Sequence, residues 1–228
     1  MMPSQPPDSA GPLRHPRLRQ ASQPTVGQPA GQRAEDEMPG GGAAGVLVAG
    51  TLFSEGELCA MRLDGVARGV CAGVYRSVTI AETPALRAAA LLRKVPPALV
   101  PRVAIGRLAA AWVYGCAPPP ERIALVVANA RRTTELPPFS GCTLHEVALA
   151  DADVTAVGDA SVTTGLRTAM DIALYVPAPA AAPVLRRLDA AAWLDAPLHR
   201  VRTEIARVPG LPWKLRALAL LEQLMEGG

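Results

Sequence analysis

Lysine is nearly absent from this sequence: of 23 Lys and Arg residues in 228, only Lys94 and Lys214 are Lys. With so much Ala, Pro and Gly, that imbalance points to a GC-rich coding sequence more than to a function. The net charge of +3 says little about partners, although Arg does contact phosphate well. Cysteine pairs are also missing. Cys59, Cys71, Cys116 and Cys142 form no C-x-x-C spacing, and His15, His145 and His199 do not cluster with them. That excludes the usual zinc patterns and predicts buried thiols in a reducing compartment. No run approaches the roughly 20 apolar residues that span a bilayer. The N-terminus lacks the charged region, apolar core and cleavage site of a signal peptide, so the expected location is cytoplasmic. There is no phosphate-cradling Gly loop, nucleophile elbow or H-E-x-x-H string, and no internal repeat. Neither a cofactor nor a metal is expected.

Half of the residues are apolar, enough to bury one sizeable core or two small ones. Residues 1–43 do not share in that. They are rich in Pro, Gln, Ser, Gly and Arg, with hardly a large apolar side chain, and cannot bury enough surface to offset their conformational entropy. They are expected to be disordered. Arg14, Arg17, Arg19 and Arg33 could make them a basic arm on nucleic acid. The better-supported alternative is an unstructured extension ahead of a start at Met38, because Asp8, Glu35, Asp36 and Glu37 offset much of that charge.

From Val46 the pattern changes. Ser54-x-x-Glu57 fits a capping box and opens a helix that ends near Asp64-Gly65. Val66 to Val78 alternates apolar positions broken by Gly69 and Gly73, the signature of a β-hairpin, with Arg68 and Arg76 projecting from it. A capped helix followed by such a hairpin is what a winged helix-turn-helix leaves in sequence; a small packing unit without a ligand would leave the same. Thr83-Pro84 is a good N-cap and first turn for a helix to about Val95, and Pro101 is read as opening another through Trp112. Ile123 to Asn129 reads as a strand covered on both faces, Arg131 to Thr134 as a polar loop, and Cys142 to Leu149 as a second strand. After Tyr175, three amphipathic helices are expected at 180–194, 198–208 and 212–225. Trp112, Trp193 and Trp213 fall on helical stripes and are expected in core or helix–helix contacts.

Asp153 to Tyr175 is the most informative stretch. Two β-prone runs meet at Gly158-Asp159, and the second opens into a helix at Thr163 or Thr164. Leu166, Ala169, Met170, Ala173 and Leu174 have the spacing of a buried stripe. Arg167 and Asp171 are an i,i+4 pair in the less favourable order for an exposed salt bridge, with the cation near the positive end of the helix. A free helix gains little from that pair, so each side chain is expected to have a tertiary partner. The other reading is a functional surface in which Arg167 meets phosphate or an acidic partner.

Several strings occur in a familiar order: G-V-Y-R (Gly73 to Arg76), E-T-P-A-L-R-A-A-A-L (Glu82 to Leu91), A-A-W-V-Y-G (Ala110 to Gly115), Asp153-Val154, and V-T-T-G-L-R-T-A-M-D-I-A (Val162 to Ala173). Together they resemble the AbiEi-type antitoxins of type IV toxin–antitoxin systems, in their actinobacterial branch, over roughly residues 45–225. The resemblance implies a winged helix-turn-helix that binds operator DNA and represses its own operon, followed by an α+β antitoxin domain. It implies a nucleotidyltransferase-like toxin as functional partner, with no tight complex required. Some relatives carry an endonuclease-like domain after this region; the chain stops at Gly228, so that activity is not expected. Two departures stand out. Between Ser54 and Gly73 there is room for one full helix, whereas a complete motif needs a second, recognition helix for the major groove. Leu108 and Ala109 replace the usual polar residues ahead of A-A-W.

The fold expected is therefore α+β: a disordered extension (1–43), a reduced winged helix-turn-helix (44–80) and an AbiEi-like domain (81–228) ending in helices. Arg62, Arg68 and Arg76 are the candidate DNA contacts, able to bind phosphates but not to choose sequence. Arg167, Thr168 and Asp171 are the signature of the antitoxin domain. A diverged interaction protein that no longer binds DNA is the alternative. A metal nuclease built on His145, Glu146, Asp151, Asp153 and Asp159 is disfavoured, since His145 and Glu146 point to opposite strand faces and no Lys follows.

Overall fold

Local signals set most of the elements. The computed structural model describes residues 45–129, 136–210 and 212–227; the expected disordered extension and the polar loop at 131–134 lie outside the described residues. Helix α1 (Glu55–Leu63) starts where the capping box places it: the Ser54 hydroxyl accepts from the Glu57 amide at 3.2 Å, and the Ser54 amide donates to the Glu57 carboxylate at 2.7 Å. Those hydrogen bonds hold the Glu57 carboxyl below the usual range. Strands β1 (Val46–Val48), β2 (Ala67–Cys71) and β3 (Val74–Ser77) form an antiparallel sheet with β3 in the middle. The β2–β3 turn uses Gly73 at φ +71°, where a side chain would be strained.

Thr83 caps α2 (Pro84–Leu92) by accepting from the Leu86 amide, with Pro84 in the first turn. The chain then departs from expectation. Pro101 belongs to a short 3₁₀ turn, Ala104–Ile105 is a strand (β4), and α3 begins only at Arg107, running to Val113. The reason is tertiary: β4 pairs with Val126 and Leu125 on one side and Val162 on the other, so its backbone groups are claimed by the sheet. Strands β5 (Ile123–Ala128) and β6 (Cys142–Val147) follow the readings of their apolar runs, and Ile123 to Val127 are all buried. The hairpin β7 (Val154–Val157) and β8 (Ala160–Thr163) turns at Gly158, and Thr164 caps α4 (Gly165–Tyr175).

The larger sheet has strand order β6-β5-β4-β8-β7, with parallel pairs β5/β6 and β4/β8 and antiparallel pairs elsewhere. Helices α2 and α3 pack on it, and α4 packs on α3. Helices α5 (Ala178–Ala190), α6 (Leu198–Arg207) and α7 (Lys214–Glu226) surround α4. The architecture is α+β, as expected. Helix α2 also touches β1 and β2, so one helix serves both sheets within a single compact unit, residues 38–228.

Helix α4 is more central than its apolar stripe suggests. Leu166 and Met170 are only half-buried, while Gly165, Thr168, Ala169, Asp171, Ile172, Ala173 and Leu174 are buried. Gly165 is needed for closeness: a Cβ there would stand 2.5 Å from the Leu194 carbonyl oxygen. The tryptophans divide. Trp112 is in the core, but Trp193 and Trp213 are exposed, contrary to expectation. Trp193 lies on a 3₁₀ turn after α5 and meets the Tyr114 ring edge-on, and Trp213 sits ahead of α7 with Arg216 beside its ring. Neither is inside a helix, so helical spacing did not apply to them.

Candidate functional site

The start of α4 gathers the densest polar network among the described residues. Thr164 is its N-cap, accepting from the Arg167 amide, and its own amide donates to the Asp153 carbonyl. One turn on, the Thr168 hydroxyl lies 2.7 Å from that of Thr163 and bonds the Thr163 carbonyl. The Tyr114 hydroxyl donates to the same carbonyl at 2.6 Å, and burial pushes its ionisation up to about 12. Thr168 is therefore a clamp that holds the helix to the end of β8 and is itself sealed from solvent.

Arg167 has the tertiary partners that its order on the helix calls for, whereas Asp171, contrary to expectation, is hydrogen-bonded among the described residues to Arg167 alone. The Arg167 Nε donates to Asp171 Oδ1 at 3.0 Å, while Nη1 donates to Asp153 Oδ2 at 2.9 Å and to the Ala148 carbonyl at 2.7 Å. Asp153 Oδ2 also accepts from the Ala150 amide. One guanidinium thus ties α4 to the link between β6 and β7. The Asp171 side chain is only 3% exposed and that of Arg167 13%. Burial pushes the Asp171 carboxyl up, against the opposing pull of Arg167 and Arg107.

Arg107 completes the cluster, and no sequence signal pointed to it. It occupies the left-handed region at φ +52° just after Gly106, whose own Cβ, if present, would stand 2.8 Å from Val126. Its guanidinium lies 4.6 Å from the Tyr175 ring centre, a cation–π distance, and 3.2 Å from His145 Nε2. His145 in turn contacts Thr143, its neighbour on the same strand face. Burial and the adjacent Arg107 both hold the His145 imidazole toward its neutral form. Burial also lowers Arg107, with Asp171 acting in the opposite sense. Asp171 Oδ2 and Arg107 Nε are buried without a hydrogen-bond partner.

Above this network lies a groove of about 980 Å³, bordered by Arg167, Asp171, Tyr175 and Met170 on α4, Glu146 on β6 and Glu204 on α6. Its charges are mixed, and Arg167 at its edge is already matched by Asp153 and Asp171. The cluster braces the fold through Arg167, while Asp171 Oδ2 and Arg107 Nε stay without hydrogen-bond partners beside it. Among the described residues, no three His, Cys, Asp or Glu side chains come together in a way that could hold a metal. Asp151, Asp159 and Glu146 are exposed.

The N-terminal candidates divide. Arg62 on α1 and Arg68 on β2 are exposed, and neither makes a side-chain hydrogen bond or ion pair among the described residues. Arg76 does not project as expected. It is only 8% exposed, and its Nη1 donates to the carbonyls of Ser77 (3.1 Å) and Ile80 (2.5 Å), with Glu82 3.8 Å away. The segment leading to α2 folds back over its guanidinium. Although Arg68 and Arg76 are register partners, only Arg68 reaches water. Cys116 and Cys142 are buried and Cys59 and Cys71 half-buried, all four as free thiols.

No family model matches the chain, and no curated protein matches it.

Proposed function

We propose that the protein is an AbiEi-like antitoxin that also binds DNA as repressor of its own operon, acting in the cytoplasm without catalysis. The observation that carries the reading is the N-terminal strand order. A capped helix stands between β1 and a β2–β3 hairpin whose second strand returns to the middle of the sheet, which supports reading the hairpin as a wing and α1 as its neighbouring helix. Arg62 and Arg68, exposed and without an ion-pair partner among the described residues, supply cations on that unit. Arg76 is withdrawn from the DNA contacts and becomes the bolt that fastens the wing to α2. In the larger domain, Arg167, Thr168 and Asp171 act through the fold they hold. The antagonised partner is a nucleotidyltransferase-like toxin, with no tight complex needed.

A second reading has its own support. Only α1 stands between β1 and β2, where a full motif has a recognition helix as well; a diverged interaction protein on this scaffold would have no need of one. One measurement separates the two. Purified protein is expected to retard a duplex taken from its own upstream region, with affinity falling steeply as salt rises. Absence of any retardation at low salt would sink the repressor and leave the interaction protein. For the antitoxin half, co-expression is expected to relieve growth arrest by a nucleotidyltransferase-like toxin encoded beside it.

A further inference from the structure

We infer that the turn at 137–141 is a second DNA contact, in which Phe139 meets the duplex beside the wing; this rests on the repressor reading above. Phe139 is fully exposed, the most exposed large apolar side chain among the described residues. Its backbone is held in the left-handed region at φ +60°, between Pro137-Pro138 and Gly141 at φ +69°. Two prolines ahead of it limit the turn's freedom, so the ring is presented on a stiff support instead of a floppy loop. An aromatic ring displayed in this way costs little further ordering when it binds.

Its surroundings say what it would meet. Phe139 borders two clefts, of about 190 and 480 Å³, and the first is closed on its other side by Cys71 and Ala72 of the wing turn. Any duplex lying against the wing tip therefore lies within a cleft's width of Phe139. Lys94 stands at that same tip: a Cβ on Gly73 would be 3.4 Å from its ammonium nitrogen. Arg122 lines the second cleft, and Arg93 is exposed beside Lys94. None of these three cations is in an ion pair among the described residues. Glu121 is the single carboxylate lining the two clefts among those residues. Arg122 also donates to the Cys142 carbonyl at 3.2 Å. Yet a bare aromatic among cations outside any ion pair of the described residues suits a polyanion that offers a π-face or an apolar wedge site, as duplex DNA does when a side chain enters between base steps. A turn of this kind would supply contact area that the missing second helix does not.

The test is binding of the full chain to a labelled duplex from its own upstream region, followed by anisotropy over a salt series. Phe139→Ala is expected to weaken binding about tenfold with an unchanged salt slope, since a ring against a base releases no counterions. Lys94→Ala and Arg122→Ala are each expected to lower the slope by about 0.9, the value of one neutralised phosphate. Leu215→Ala, also a strongly exposed apolar side chain but on α7, is expected to bind as the unaltered protein does. If that protein binds and Phe139→Ala binds equally well, the inference falls and the repressor reading stands. If Phe139→Ala spares DNA binding but abolishes toxin antagonism, Phe139 is an anchor for a protein and the inference again falls. If the unaltered protein binds no duplex at low salt, the repressor reading falls and takes this inference with it. Thermal unfolding of Phe139→Ala and Lys94→Ala is expected to match the unaltered protein, and that of Arg122→Ala to fall slightly below it because its donor to the Cys142 carbonyl is lost, which separates a weakened DNA surface from a damaged fold.

Discussion

The arginines of the N-terminal sheet and those around α4 live in opposite conditions. Arg167 spends its donors on two carboxylates and a carbonyl, and Arg107 lies between a tyrosine ring and a histidine. Arg62 and Arg68 are exposed and have no side-chain partner among the described residues. The difference separates two meanings of a charged residue in a recognisable string. Where a guanidinium has fixed internal partners, the string records how the fold is braced. Where it has none, a partner outside the molecule can still be added at small desolvation cost. Arg76 belongs with the first kind although it sits in the second region, because the chain after β3 covers it.

The comparison breaks first at Asp171. If the α4 network is a brace, Asp171→Ala should destabilise by about 3 kcal/mol, the low end for breaking a buried pair, because Arg107 loses its opposing charge while Arg167 keeps Asp153. Urea unfolding gives that number. A destabilisation below about 0.5 kcal/mol, the range of ordinary surface changes, together with failed toxin antagonism in folded protein, would move Asp171 from brace to working surface. Next comes Arg76. Arg76→Ala removes the donor held by the Ile80 carbonyl and should cost about 1–3 kcal/mol, with the salt slope of DNA binding unchanged. A lowered slope with unaltered unfolding would return Arg76 to the DNA contacts and erase the distinction within the sheet.

Sequence reading succeeded where the cause is local. The caps at Ser54, Thr83 and Thr164 use side chains three residues from their targets, so α1, α2 and α4 start where spacing predicts. The wrong-order pair on α4 implied a tertiary partner for each side chain; Arg167 has them in Asp153 and the Ala148 carbonyl, and Asp171 is bonded among the described residues to Arg167 alone. What was not legible depends on distant chain. Strand β4 is two residues long and exists because Val126 and Val162 flank it. Arg107 reaches His145, 38 positions away, and no periodicity marks such a meeting. Alternation correctly gave the β2–β3 hairpin, but period two says which residues share a face, not which of them the next segment will cover. Arg68 and Arg76 share one, and only the fold-back at Ile80 tells them apart.

The smallest expected effect on stability is the sharpest test of the other half of the comparison. Arg62 and Arg68 touch no acceptor among the described residues, so Arg62→Ala with Arg68→Ala should leave the thermal midpoint where it was; exposed substitutions away from caps and cores rarely move it. The two helical and sheet positions should nevertheless matter for DNA. Removing one phosphate-binding cation takes about 0.9 from the slope of log affinity against log salt, so the double variant should bind a duplex from its upstream region with a slope lower by about 1.8. The weakening should be nearly uniform across sequences, because phosphate-binding side chains position a protein without reading bases. An unchanged slope in folded protein would mean that bare arginines on this sheet are solvated and idle, and exposure alone would then no longer distinguish a working cation from a decorative one.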